Sequence, residues 1–484
     1  MSAYPLLLVP FLFQAPGDAP APSVEVVVRA LPEPSDAVDA AIGAGELYAH
    51  VAYLASDELE GRFTGSSGGL AAAEYLAKTL ARLEPMGLQP AGDVEADGTH
   101  GYLQDVQLAG VGFDALPELE LAGSLLTYGA DFNLRQGFAL HGELSLLGVT
   151  DEAALPAEPN PAQVLYLDMT TPKSRAVLAG HDEAWVAGWG AVIQRGGKSA
   201  GRLVADAAGI TRVRGAERPL VLEVSGDGRA GLDSAPAGAT LRFAIGGEPR
   251  RAYNVLGLLP ATTSLAAGAT RESVVISAHY DHLRRRAVAD GEDGIYNGAD
   301  DDASGVAAVL EIVEALALSP EPRGRDLIVL LATGEEIGLV GTSYYLDHPV
   351  APLDSTSCNL NFEMIGRSDP LGGGPGALWL TGYGHTNLGT ALAAKGLEIL
   401  QDPRPEQHFF ERSDNYAFVL KGVVGQTLST YNLHEDYHHV SDEVDTLEYE
   451  HMRAACEVGL GATRQLLDTS FVVAWSPDYS LPRR

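Results

Sequence analysis

Two histidines and three carboxylates lie at the ends of apolar segments or in short polar loops, and all five offer donor atoms that zinc accepts. They are His279, Asp301, Glu336, Glu363 and His438. Two zinc ions about 3.5–4 Å apart need one ligand that bridges them. The short side chain of Asp301 suits that role, and the other four then give each metal one histidine and one carboxylate. The pattern therefore predicts a catalytic two-metal site.

Two further carboxylates stand beside these ligands. Asp281 follows His279 by two residues and is placed to hydrogen-bond the far imidazole nitrogen, which would fix the tautomer of that ring. Glu335 directly precedes Glu336 and is free to take a proton from a metal-bound water and pass it to a leaving group. Both are predicted to be catalytic.

Three short motifs surround these residues. They read Ser-Ala-His-Tyr-Asp-His-Leu at 277–283, Asn-Gly-Ala-Asp-Asp-Asp-Ala-Ser-Gly at 297–305 and Gly-Glu-Glu-Ile-Gly-Leu at 334–339. Together they resemble peptidase family M28, the dizinc aminopeptidases and glutamate carboxypeptidases. Weaker similarity is found in the segments 54–62, 71–76 and Ser413-Asp414. The resemblance thus covers most of residues 45–470.

The resemblance implies a role for each candidate residue. The metal ligands are implied to be His279, Asp301 as the bridge, Glu336, Glu363 and His438. Glu335 is implied to be the general base, and Asp281 the residue that orients the first histidine. The implied cofactor is zinc, with two ions per chain.

The sequence departs from the family pattern at one ligand. Glu363 stands where the family more often has aspartate, so this ligand is one methylene longer but keeps its charge. Three other histidines, His282, His434 and His439, lie beside the proposed ligands. We prefer His438 as the late ligand because Asp442 follows it at four residues, as in the family.

Hydrophobic segments alternate with amphipathic ones from residue 254 onward, which predicts an α/β fold. Strands are expected at 254–260, 273–279, 326–333, 359–364, 378–382 and 423–429, and helices at 303–318, from about 338, and at 386–397 and 449–468. Strands rich in Val, Ile and Leu indicate a mostly parallel sheet with helices on both faces. Sites in such sheets lie at the carboxyl ends of the strands, where the candidate residues stand.

The chain divides into four predicted regions. Residues 1–22 resemble a secretory signal or form a tail, 45–109 carry N-terminal helices of the peptidase domain, and 250–470 form its catalytic part. Short β-like segments broken by Gly and Pro fill 110–247, an order similar to the protease-associated domain of this family. We expect this insert to shape or cap the cleft, and we expect the protein to be secreted or periplasmic.

Composition narrows the set of partners. The net charge of −33 argues against nucleic acid and anionic membrane surfaces, and no segment has the length of a membrane span. The chain is compatible with a monomer. Cys358 and Cys456 are the only cysteines, and either one disulfide or two buried thiols fits them.

The predicted function is that of a metal-dependent aminopeptidase acting on peptides through a hydroxide held by two zinc ions. A carboxypeptidase or a single-zinc glutaminyl cyclase on the same fold is an alternative, and so is a silent binding homologue. The pair His279 and Asp281 favours two metals over the cyclase. The presence of Glu335 and of all five ligands argues against a silent homologue.

Overall fold

A computed structural model describes residues 38–481 with internal gaps. The described ranges are 38–95, 98–112, 118–126, 131–136, 140–148, 158–168, 185–186, 188–195, 211–212, 221–224, 226–245, 248–265, 268–286 and 292–481. The predicted signal segment, residues 1–22, lies outside them, so secretion stays a prediction.

The described residues contain eight α-helices and eighteen β-strands. The helices are α1 (Ala44–Leu54), α2 (Ser67–Ala81), α3 (Gly226–Ser234), α4 (Gly305–Leu318), α5 (Val340–Asp347), α6 (Leu388–Ala394), α7 (Asn415–Leu420) and α8 (Tyr449–Leu467). The strands are β1 (Gln89–Pro90), β2 (Leu103–Gly112), β3 (Glu118–Leu121), β4 (Ser124–Leu126), β5 (Phe132–Gln136), β6 (Leu140–Gly148), β7 (Gln163–Asp168), β8 (Ala191–Arg195), β9 (Thr211–Arg212), β10 (Val221–Val224), β11 (Thr240–Ile245), β12 (Glu248–Leu259), β13 (Ser273–His279), β14 (Asp326–Ala332), β15 (Thr356–Phe362), β16 (Leu378–Leu380), β17 (Ile399–Gln401) and β18 (Gly425–Ser429).

Ten strands form a mixed sheet that contains the candidate site. Their order is β17-β16-β18-β15-β13-β14-β12-β2-β9, and β1 pairs with β12. The central strands β14, β13, β15 and β18 run parallel, so their carboxyl ends meet at one edge. The predicted helix-flanked α/β fold is confirmed. The parallel part is smaller than predicted, because β12 is antiparallel to both β14 and β2, and β16 is antiparallel to β18.

Helices cover both faces of this sheet. On one face Val275 and Ile328 pack into a cluster with Tyr345 of α5 and Phe418 of α7. On the other face Phe362 lies against Gly459 of α8, close to α4. Successive side chains of a strand point to opposite faces, so a strand covered on both faces is buried along its whole length. All seven residues of β13 are indeed buried.

Eight strands from the segment 118–245 form a second sheet. Their order is β4-β3-β11-β6-β7-β8-β10-β5, and the strands β6, β7, β8 and β10 are parallel neighbours. Phe132 and Phe243 lie in its buried core, against which Leu232 of α3 also packs. The segment is thus rich in strands. Its description as a protease-associated-like domain, its place over the cleft and the boundaries 45–109, 110–247 and 250–470 stay predictions.

Cys358 and Cys456 are both buried and do not form a disulfide. In the part of the chain that the structure describes, no helix combines the length and the apolar character needed to cross a bilayer.

Candidate metal centre

The predicted ligands come together at the carboxyl edge of the parallel strands. His279 is the last residue of β13, and Glu363 directly follows β15. Glu336 lies four residues beyond the end of β14, after Gly334, whose positive φ turns the chain away from the sheet. Asp301 lies in the turn Ala299–Ser304 just before α4, at a kink where the backbone is not helical. Strand geometry therefore accounts for most of the clustering.

The carboxylate of Asp301 lies between two histidines. Its Oδ1 is 3.3 Å from His279 Nε2, and its Oδ2 is 3.1 Å from His438 Nε2. His438 Nε2 also lies 3.4 Å from Glu336 Oε1. One oxygen of Asp301 thus faces each histidine, which is the arrangement needed for a carboxylate that bridges two cations.

Asn361 holds the side chain of Glu363. Its Oε2 accepts a hydrogen bond of 3.3 Å from Asn361 Nδ2, which also donates to Ser413 Oγ at 2.9 Å. Burial raises the pKa of Glu363 to about 7 against the opposing charge of His279. Asp414, next to Ser413, is fully buried, and burial raises its pKa to about 6.

The three histidines of the segment 434–439 lie in different environments. His438 reaches Asp301 and Glu336, as described above. His434 instead places Nε2 3.0 Å from Asp300 Oδ2, and His439 is exposed. The position of His438 agrees with its selection from the sequence.

The aspartates on either side of Asp301 bind main-chain groups. Asp302 Oδ1 accepts from Met364 N at 2.9 Å, and its Oδ2 accepts from His279 N at 3.3 Å. Asp300 Oδ1 accepts from Gly366 N at 2.7 Å. The middle aspartate is thereby left to face His279 and His438, while its neighbours join the turn to the ends of β13 and β15.

The side chain of Asp281 fixes the chain next to the predicted base. Its Oδ1 accepts from Glu335 N at 3.2 Å, and its Oδ2 accepts from Thr64 Oγ1 at 2.7 Å. His279 Nδ1 lies 3.8 Å from that carboxylate but 3.1 Å from the main-chain oxygen of Asp281. The tautomer of His279 is therefore directed by a carbonyl group, which differs from the carboxylate bond expected from the sequence.

Arg62 joins the N-terminal helices to the candidate centre. It is completely buried and donates to Leu54 O at 2.9 Å and to Tyr280 O and Gly298 O, each at 2.6 Å. It also donates to Asn297 O and, at 3.3 Å, to Asp301 O. Sequence reasoning missed this residue. Its only signal was the weak family resemblance of the segment 54–62, because bonds to distant carbonyl groups leave no periodic pattern.

The carboxyl groups of the centre have pKa values shifted in opposite directions. Burial raises the pKa of Asp301, but contacts with His279 and His438 outweigh it and hold this pKa well below its usual value. Burial and the charge of Asp301 both raise the pKa of Glu336. Contacts with His282 and His438 outweigh them and lower this pKa to about 2. Burial holds the pKa of Glu335 well above its usual value, against the charge of His279. The carboxylates in contact with the histidines thus have lowered pKa values, whereas the pKa of Glu335 is raised.

Several donor atoms of the centre fit a metal. Within the described residues, His279 Nε2, both ring nitrogens of His282 and Glu336 Oε1 are buried without a hydrogen-bond partner. Buried polar groups are normally paired, so unpaired donors that converge need another partner. His282, Asp301 and Glu336 bring one donor atom each within 4.8 Å of one another. Two divalent cations would also neutralise a centre with many buried carboxylates.

A pocket opens beside Glu363. Its aromatic walls are Trp379, Phe409, Tyr431 and Tyr437, and its polar walls are Thr381, Arg412, Ser413, Thr427 and Ser429. Trp379, Phe409 and Tyr431 pack together with Met364. A pocket that combines aromatic walls with a few convergent polar groups is the usual form of a small-ligand site.

Comparison with known proteins shows a family similarity for part of the chain. Residues 254–462 match the model of peptidase family M28. Aminopeptidase YwaD of Bacillus subtilis is 31% identical over 96 residues, which are 20% of this chain and 18% of that protein. A probable leucine aminopeptidase 2 of Aspergillus oryzae is 28% identical over 198 residues, or 38% of this chain and 34% of that protein. The chain thus aligns with at most about a third of either relative.

Among solved structures, an aminopeptidase from Aneurinibacillus sp. strain AM-1 superposes with a TM-score of 0.49 at 18% identity, covering 92% of this chain and 98% of that one.

Proposed function

We propose that the protein is a metal-dependent aminopeptidase that removes N-terminal residues from peptides, since residues 254–462 match the model of peptidase family M28. The observation that carries the proposal is the position of Asp301, whose two oxygens face His279 and His438 separately. A predicted base, Glu335, stands at the same edge, and a pocket with aromatic walls opens beside Glu363. Secretion or a periplasmic location is part of this proposal and rests on residues 1–22 alone.

In this proposal Asp301 would contribute a ligand to each of two zinc sites. Glu336 and His438 would hold one ion, and His279 and Glu363 the other. Zinc in such a site polarises a carbonyl oxygen and makes a bound water more acidic. The donor set of imidazole and carboxylate suits this metal.

Glu335 moves the proton in the proposed reaction. Burial raises its pKa, so its carboxylate has an increased affinity for a proton. It takes a proton from the attacking water and delivers it to the nitrogen of the departing amine. Asp281 holds the main chain of Glu335 through the bond to its N–H group, so the carboxylate starts from a fixed position. The peptide bond breaks as the amine accepts that proton.

Metal removal tests the function directly. We expect the zinc-loaded protein to hydrolyse aminoacyl-p-nitroanilides with a free amino group, and the chelated protein to lose this activity and regain it with Zn²⁺. N-acetylated nitroanilides and peptides cleaved only at the C-terminus serve as the matched substrates and should not be turned over. Hydrolysis of C-terminal substrates alone would identify a carboxypeptidase. Cyclisation of N-terminal glutamine would identify a cyclase, and no turnover with metal bound would indicate a binding protein.

The pocket beside Glu363 is proposed to receive the first side chain of the peptide. Its aromatic walls predict that kcat/KM rises along the p-nitroanilides of alanine, aminobutyrate, norvaline and norleucine. Each buried methylene contributes about 0.8 kcal/mol, which corresponds to roughly fourfold in kcat/KM. The series adds one methylene at a time without a change in charge. A flat or falling series would exclude this pocket as the site of the first side chain.

A further inference from the structure

His282 lies inside the centre but has no place in the five-residue ligand set. Its side chain is completely buried. Its Nδ1 is 2.9 Å from Glu336 Oε1 and 3.8 Å from Asp301 Oδ2. Neither ring nitrogen has a hydrogen-bond partner within the described residues, and neither has Glu336 Oε1. Nδ1 and Oε1 are thus close but not aligned to share a proton.

Contact distances in this group match the geometry of one four-coordinate ion. Zinc lies about 2.0–2.2 Å from nitrogen and oxygen ligands, so neighbouring donors of a tetrahedral site are about 3.3 Å apart. The distances from His282 to Glu336 and Asp301 are 2.9 and 3.8 Å. Those from His438 to the same two carboxylates are 3.4 and 3.1 Å. Two of these four donor–donor distances are shorter than the separation expected for a tetrahedral site, and two are longer.

The backbone around His282 is built to hold its ring. A Cβ atom on Gly298 would lie 2.5 Å from the Cγ and Cδ2 atoms of His282, so the ring rests directly on this glycine. Gly298 also has a positive φ of 58° and precedes the turn that carries Asp301. The ring of His282 meets that of His438 edge-on, with centroids 5.7 Å apart. Its position is therefore fixed relative to two proposed ligands.

We propose that His282 is a ligand of one of the two metal ions, together with Asp301, Glu336 and His438. This ion then has four protein donors, which is the closed coordination typical of tightly held zinc. The second ion has His279, Glu363 and the shared Asp301, and keeps an open position. The two sites are therefore unequal: the closed site binds metal more tightly, and substrate and water enter at the open one. The inference rests on the proposed metal centre but not on the substrate.

The test replaces His282 with phenylalanine, which keeps a ring but removes both nitrogens. His439→Phe is the matched control, because His439 is an exposed histidine in the same part of the chain as His438. Apo proteins are titrated with Zn²⁺ alone in competition with a chromophoric chelator, and the number and affinity of the sites are measured. We expect two unequal sites in the wild type and in His439→Phe. In His282→Phe the tighter site should weaken by more than about 100-fold, while the weaker one is unchanged.

Cobalt(II) loading gives a second readout that does not depend on activity. The closed site should show the intense visible absorption of four-coordinate cobalt, and His282→Phe should lose it. His282→Asn, which is smaller, is measured in parallel in case the phenylalanine ring prevents folding, and the circular dichroism of each apo protein checks its fold.

Three outcomes would overturn the proposal. Unchanged zinc affinities in both His282 variants would exclude a ligand role. A weakening of about tenfold with the cobalt spectrum retained would mean that His282 only positions Glu336. Failure of the wild type to bind zinc would remove the metal centre and the proposed function together. Zinc binding without peptide hydrolysis would remove the proposed function alone, with the role of His282 still decided by the titration.

Discussion

Glu335→Gln is expected to lower kcat by about 10²–10⁴-fold while both metal sites stay filled. Glutamine has nearly the volume of glutamate but cannot accept a proton from the attacking water. Glu335 is not among the proposed ligands, and its main-chain bond to Asp281 is independent of the side chain. The variant should therefore fold, bind zinc and bind substrate as the wild type does.

Initial-rate kinetics and metal analysis of the same samples check this prediction. Glu336→Gln is the contrasting variant, because it removes charge from a proposed ligand one residue away. It should lose zinc as well as activity. A Glu335→Gln protein with nearly normal kcat would show that another group moves the proton.

Arg62→Met is expected to lower the free energy of unfolding by more than about 4 kcal/mol. The guanidinium group is buried and donates to five carbonyl groups, and methionine would remove all five of these hydrogen bonds. Three of those carbonyls belong to Asn297, Gly298 and Asp301. The turn that carries the bridging aspartate should therefore loosen, and the protein should retain less zinc.

Urea denaturation of the chelated proteins measures the first effect, and metal analysis after gel filtration measures the second. Arg285→Met is the matched control, because Arg285 is half exposed and pairs with Glu60 at 2.8 Å. Its replacement should change the free energy of unfolding by less than about 1 kcal/mol. Equal stabilities of the two variants would contradict the clamping role of Arg62.

Those parts of the fold that depend on continuous apolar segments could be predicted from the sequence. Strand β13 has the predicted bounds because both of its faces are buried. Strand β15 ends at Phe362, earlier than predicted, since Met364 adopts a positive φ. Helix α4 begins at Gly305 instead of residue 303, because aspartate side chains bind main-chain groups in the turn before it. Local hydrogen bonds and backbone angles thus decide where these elements begin and end, and the apolar pattern of the sequence gives no information about them.

The candidate centre could be predicted where each residue follows a strand, and much less where it depends on distant segments. His279 ends a strand and Glu336 and Glu363 follow strands, so the three lie at the same edge of the sheet. Arg62 and Thr64 reach the centre from the N-terminal region, more than 200 positions away along the chain. His282 was noted only as a neighbour of the first ligand, since the sequence does not specify where its ring points. Such roles require coordinates.

Strand β2 comes before the eight-stranded sheet in the sequence, and β12 comes after it. These two strands are neighbours in the ten-stranded sheet. Gly112 of β2 pairs with Glu248 of β12, and the strands run antiparallel. The intervening segment, apart from the two-residue strand β9, therefore takes the place of a hairpin turn. A module tethered in that way can be gained, exchanged or lost in evolution by changes to one turn, with the strand order around the metal centre unaltered.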